Sequence, residues 1–191
     1  MALVAYNCSD APGTTNPYTP AADCLNEGTG ILGLMLVKGG FNLNTVIDET
    51  TLAAAIAAEN LLVIKDLEAY WPTPSPVMIP GKSGRVERLA RIDFDLAFSH
   101  EGVDANLKFW NAVNNRRSYG IVFVTEEYKA FAPLDRALEP ILCSIFAAPG
   151  GEQEFGNIRE FRGNVKWKSK DLPQFLDLFT TTMLSSRFQP S

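Results

Sequence analysis

The chain has 191 residues, 46% of them hydrophobic and 20% charged, with 22 acidic against 17 basic side chains and a formal net charge of −5. A chain of this length buries roughly 70% of its unfolded surface in one domain without help from disulfides. It is too apolar for a disordered protein and too acidic for the broad cationic surface that grips nucleic acid. The opening Met1-Ala2-Leu3-Val4-Ala5 lacks the basic start and long apolar stretch of a signal peptide, and no run reaches the ~18 apolar residues of a membrane span, so a protein made and kept in a cytoplasm, with no membrane partner, is expected.

In chain order, residues 1–30 read as an extended N-terminal arm, punctuated by Pro12, Gly13, Pro17, Pro20, Gly28 and Gly30, and 31–191 as a single domain. Ile31 to Val37 is a short apolar run bounded by Gly39-Gly40, the pattern of a buried strand. Asp48 or Thr50 caps a helix through Glu59, with Leu52 and Ile56 on one face and alanines supplying propensity. Leu61 to Leu67 is the next strand. Residues 68–89 stand out: Pro72, Pro74, Pro76 and Pro80 with Gly81 and Gly84 disfavour a central strand or a helix, yet Tyr70, Trp71, Val77, Met78 and Ile79 are too apolar for a linker. This segment is expected to be an arm inserted in the domain, with Trp71, Met78 and Ile79 as its assembly contacts.

Beyond it, Ile92, Phe94, Leu96 and Phe98 alternate with Arg91, Asp93, Asp95 and Ala97, the clearest strand in the chain. Val103, Leu107, Trp110 and Val113 fall at helical spacing, closed by Asn114-Asn115. Ser118 to Thr125 is a strand apolar on both faces. Further strands are expected at Ile141 to Phe146, Glu160 to Trp167 and Phe175 to Thr182. In the segment Phe161 to Lys170, Phe161, Val165 and Trp167 face a core while Arg162, Lys166, Lys168 and Lys170 share the other side. Strand outweighs helix and no βαβ repeat appears, so the fold is mainly β with flanking helices (α+β), an antiparallel sandwich or barrel.

The chemical inventory is thin. Cys8, Cys24 and Cys143 have no paired spacing and His100 is the single histidine, so neither a zinc site nor another metal or cofactor is expected; Cys143 reads as a small buried hydrophobe. Gly28-Thr29-Gly30-Ile31-Leu32-Gly33 matches a dinucleotide fingerprint in letters, but it precedes a strand instead of following one. Pro76 to Ser83 resembles a phosphate loop, with a proline at the first glycine and Pro80 removing a needed donor; a turn is the simpler reading. His100 beside Ser99 and Glu101 has no nucleophile elbow to serve. Asp93 and Asp95 share a strand face, where exposed acids usually serve solvation. No enzyme is expected.

The strand Ile92 to Phe98, the helix through Trp110, the strand Tyr119 to Val124 and the closing segment Phe161 to Pro173 resemble, in pattern and order, the tail-tube-type virion structural proteins of tailed bacteriophages, particularly those of phages infecting Bacteroidota. The resemblance covers residues 24–48 and 90–175 and carries no diagnostic motif. It implies a tail-tube-type β-sandwich or barrel that assembles with itself into rings, hexamers in that family, which stack through long loops and terminal arms in a virion tail. Partners would be the chain's own copies, other tail proteins and viral DNA in transit without specific binding. The residues add three expectations: strands apolar on both faces would be covered by a neighbouring subunit, Asp93 and Asp95 would line the bore and repel DNA phosphates, and the Arg162, Lys166, Lys168, Lys170 face would lie on an interface or outer wall. A head-to-tail connector or tail-terminator ring protein is an alternative. Another is a carbohydrate- or receptor-binding module using Tyr70-Trp71 as an aromatic platform.

Overall fold

The computed structural model describes residues 30–81, 87–101, 103–114, 118–134, 139–150 and 160–189. The arm expected at 1–30 therefore lies outside the described residues except for Gly30, as do Cys8 and Cys24. The elements run β1 (Gly30–Lys38), α1 (Glu49–Ala57), β2 (Leu61–Ile64), β3 (Leu67–Tyr70), β4 (Thr73–Ile79), β5 (Arg88–Glu101), α2 (Val103–Val113), β6 (Tyr119–Thr125), β7 (Ala130–Ala132), β8 (Ser144–Gly150), β9 (Glu160–Ser169), β10 (Gln174–Phe175) and α3 (Thr181–Phe188), with a 3-10 turn at Leu43–Thr45. The fold is mainly β with flanking helices, as the sequence predicts. All the strands join one antiparallel sheet in the order β10-β7-β6-β1-β3-β5-β9-β8, with β2 also on β1 and β4 also on β5.

Apolar side chains on both sides of β1 and β6 divide the core into two layers. Leu34, Leu36, Ile121 and Phe123 join one cluster, and Met35, Val37, Val122 and Val124 join a second on the opposite face. That second layer is roofed by the 3-10 turn, α1 and α3 through Leu43, Leu52, Met183, Leu184 and Phe188. Full burial of each large aliphatic side chain contributes about 1.5–3 kcal/mol. The expectation that a neighbouring subunit would cover these strands is thus corrected: the chain's own helices cover them.

The first cluster lies inside a curl of the sheet. β5 pairs with β3 and β4 along one edge and with β9 along the other, and β8 lies on the far side of β9. Ahead of β8, Cys143 N donates to Tyr119 O at 2.8 Å and Ile141 N to Pro133 O at 2.8 Å, which returns the β8 side of the sheet to β6. The approach is close enough to require a glycine: a Cβ on Gly120 would sit 2.4 Å from Pro140 Cβ. α2 fills the curl with Trp110, 1% exposed and stacked on Phe98 at 5.3 Å. Its last turn leads to Asn114, whose side chain donates to Ala147 O (2.7 Å) and accepts from Ala147 N (2.8 Å). An edge strand presents unpaired backbone groups, and at Ala147 this amide satisfies them.

Local signals explain most boundaries. Asp48 caps α1 by accepting from Thr51 N at 2.8 Å, and the Thr51 hydroxyl accepts in return from Asp48 N, a reciprocal cap. The strand predicted over Leu61 to Leu67 is two strands, broken where Asp66 takes φ 52°. The strand predicted at Ile141 to Phe146 begins at Ser144 instead, with Ile141 and Cys143 bonded to Pro133 and Tyr119 in the closure. β7 is an element the sequence reading lacked. The strand predicted at Phe175 to Thr182 is corrected: only Gln174–Phe175 pairs, and a helix follows. The run Thr180-Thr181-Thr182 carries strand propensity, but Thr180 accepts from Met183 N at 3.3 Å as a helix cap and Met183, Leu184 and Phe188 bury one helical face.

Candidate functional site

The segment expected as an inserted, irregular arm at 68–89 is mostly strand where it is described; its residues 82–86 lie outside the described residues. Tyr70 ends β3 and residues 73–79 form β4, paired with β5 from Thr73 opposite Asp95 to Ile79 opposite Arg88. Prolines survive here because Pro74 and Pro76 are two residues apart and so turn their missing N–H groups to the same edge. Among the described residues β4 has a ladder only to β5, so that edge faces outward and loses no bond, while the ladder runs through Thr73, Ser75 and Val77. The prolines also leave the outer edge short of donors for a further strand. Past a register shift between Val77 and Met78, the far end of the hairpin sets Met78 opposite Leu89. Met78 is 46%, Ile79 43% and Leu89 46% exposed. A two-stranded ribbon has too little breadth to cover such side chains itself.

Of the three residues expected as arm contacts, Met78 and Ile79 lie at this exposed end. Trp71 does not. It sits in the break between β3 and β4, edge-on to Phe123 at 5.1 Å and to Phe131 at 5.0 Å, so that one side packs on the chain's own aromatics while 39% of the residue stays exposed. Its neighbour Tyr70 is 78% exposed. Leu89, which pairs with Met78, escaped the sequence reading because it precedes the alternating run of β5. The alternation of Thr73, Ser75 and Val77 with two prolines was the signal for β4.

Asp93 and Asp95 do share one exposed face of β5, with Phe94 and Leu96 turned to the core on the other. Their setting corrects the expected separation of acidic and basic faces. Asp93 lies opposite Lys168 and Asp95 opposite Lys166 on β9. Lys166 Nζ is 3.2 Å from Asp95 and Arg91 Nε is 2.8 Å from Asp93. Cross-strand partners point to the same side of a sheet, so no bore can present the two carboxylates without the two lysines. A groove of about 700 Å³ on this face is lined by Asp93, Asp95, Lys166, Lys168 and the exposed Leu142.

The remaining titratable groups offer little chemistry. Burial pushes the Cys143 thiol up to about 12, against a weaker opposing backbone hydrogen bond from Ile121, so it stays protonated and unreactive. His100 lies edge-on to Trp110 at 5.9 Å; desolvation lowers its pKa, with Asp66, the Lys65 backbone and Glu101 pulling the other way. Among the described residues no group of histidine, cysteine and carboxylate side chains is arranged to hold a metal ion, and no helix is long and apolar enough to cross a membrane.

A second groove, about 450 Å³, runs between the start of α1 and α3 and is lined by Ile47, Asp48, Glu49, Thr182, Met183 and Ser186. Ile47 is 73% exposed there. Hydrogen bonds from Thr51, its backbone N–H first, hold the Asp48 carboxyl below the usual carboxylate range, while Glu49 pairs with Arg187 at 2.5 Å. No protein-family model, curated protein or solved structure matches the chain.

Proposed function

We propose that the protein is a self-assembling structural subunit of a phage tail tube, forming rings that stack into a conduit for DNA. The observation that carries this reading is the β4–β5 hairpin. It ends in Met78, Ile79 and Leu89, all exposed, on a ribbon whose outer edge is blunted by Pro74 and Pro76. Apolar side chains collected at the end of a projecting ribbon gain from burial against another surface, and copies of one chain supply that surface in a ring or a stack. The curled sheet behind the hairpin is held at its closure by backbone bonds and by the Asn114 amide, a rigid base for such a contact. Connector and terminator rings draw on the same features and are the neighbouring alternatives.

The conduit part of the reading takes a different form from the one the sequence predicts. A face that sets Arg91, Lys166 and Lys168 beside Asp93 and Asp95 has no excess of negative charge, so passage of DNA would rest on the chain's net charge of −5 and on walls formed by other parts of the subunit. Size-exclusion chromatography with light scattering, followed by electron microscopy of the purified protein, tests the proposal. Rings or tubes of uniform diameter are expected; a folded protein that stays monomeric at high concentration overturns it.

A further inference from the structure

His100 falls on the inward side of β5 by the alternation that buries Phe94, Leu96 and Phe98, opposite Leu67 on β3 and Phe161 on β9. The strand ends one residue later at Glu101, and α2 starts at Val103. The imidazole is walled by Trp110 of that helix, edge-on at 5.9 Å, and Trp110 is itself stacked on Phe98. His100 Nδ1 and Trp110 Nε1 are both buried, and neither has a hydrogen-bond partner among the described residues. A bare lone pair on a neutral imidazole is a modest loss. A proton on that nitrogen would be a buried, charged N–H with no acceptor, beside a ring whose own nitrogen is another donor. The charged groups that reach the imidazole are Asp66, in the turn before β3, and Glu101 on β5 itself, with a hydrogen bond to the Lys65 backbone; these favour the charged form, and desolvation outweighs them. From α2 the ring meets an uncharged indole.

We propose that α2 is an acid-released strap: uptake of a proton at His100 favours a state in which the helix is lifted from the curl of the sheet. Lifting Trp110 returns water to the imidazole, so the charged form that is disfavoured under the helix is restored once the helix is away, and acid draws the equilibrium toward the lifted state by linkage. The far end of the strap is Asn114, which holds Ala147 through its two amide hydrogen bonds. When the helix lifts, those bonds break and the edge of β8 at Ala147 is open to another strand. The strap works within a single copy, whether or not copies assemble.

Amide hydrogen exchange of the full chain from about pH 7.5 to about pH 5, corrected for the intrinsic pH dependence of exchange, tests this. The amides of α2 and of Ala147 are expected to exchange through an opening that leaves Leu34 to Val37 of β1 protected. The equilibrium constant of that opening should rise as pH falls below 6.5 and level off at the midpoint where His100 titrates, itself expected below 6.5. His100 is the chain's single histidine, so one imidazole resonance reports that midpoint. His100→Gln stays polar but takes up no proton, and should leave the α2 opening indifferent to pH over this range. The strap is overturned if α2 exchanges only together with β1, if its opening does not respond to pH, if the response survives His100→Gln, or if the histidine titrates at or above 6.5. Should His100→Gln fail to fold, the unsubstituted protein decides: a rise that does not level off at the histidine's midpoint also overturns the proposal.

Discussion

β1 and β5 are both inner strands of one sheet, and they meet their surroundings differently. β1 is covered on each face, by the curl's interior on one side and by α1 and α3 on the other, so that Leu34 through Val37 are all fully buried. β5 buries Phe94, Leu96 and Phe98 on one face and leaves Asp93 and Asp95 among lysines on the other. From Leu34 to Val37 the first arrangement tolerates no polar side chain at any position. The second tolerates charge at every other one, which makes its outer face available to evolve a contact without cost to the core.

Substitutions that ignore this difference should show it most sharply. Val122→Asp on β6, at a position 0% exposed in the helix-covered layer, buries an unpaired carboxylate and should cost more than about 4 kcal/mol, enough to leave little folded protein. Loss of the cooperative thermal transition checks it, and a folded variant would mean that the helices do not cover this face. Asn114→Ala should cost about 1–3 kcal/mol by leaving the Ala147 backbone groups without partners, and urea unfolding measures it. Hydrogen exchange should also quicken at Ala147 before it changes in β1.

A third expectation is about pH. Because burial lowers the His100 pKa in the folded state, the unfolded chain takes up its proton first as pH falls. Stability from this group is therefore complete above the ordinary histidine value of 6.5 and declines as pH drops below it toward the folded value. Denaturant midpoints measured across that range should fall with acidity, and His100→Gln should remove this part of the slope while leaving the part due to carboxylates. The smallest effect belongs to the open face: Asp95→Asn breaks an exposed pair with Lys166 and should change stability by about 1 kcal/mol or less. A larger loss in a thermal melt would show that this face is more sequestered than its exposure indicates.

The alternating segments were legible in the sequence because period-two patterning reports which face is buried. Phe161, Val165 and Trp167, and Phe94, Leu96 and Phe98, sit as their spacing demands. The doubly apolar strands were legible as strands, but no local pattern says whether helices or another copy will cover them, and Met183, Leu184 and Phe188, which do so here, were hidden behind threonines with strand propensity. Asp93 and Asp95 were placed on the correct face. Their neighbours were not, since the β5–β9 register that sets Lys166 against Asp95 is a long-range property. Trp71 is exposed as its sequence suggests, but its edge-on contacts with Phe123 and Phe131 could not be read there, because those partners arrive from distant sequence. The α1–α3 groove left no signal at all in the chain, being formed by residues far apart in it.

The order in which the sheet zips up follows from β1. Its second half, Leu34 to Val37, can pair early with Leu61 to Ile64, across only the short span of α1. Its other edge must wait for residues 119–125, and β5 must wait for β9. Closure through Cys143 and Tyr119 then requires both halves to be in place. A topology so rich in distant pairings folds slowly, on the order of milliseconds to seconds, and during that interval the apolar edge of β1 that awaits β6 stands open. The race between that edge finding β6 and finding another chain is part of how the protein's synthesis must be managed.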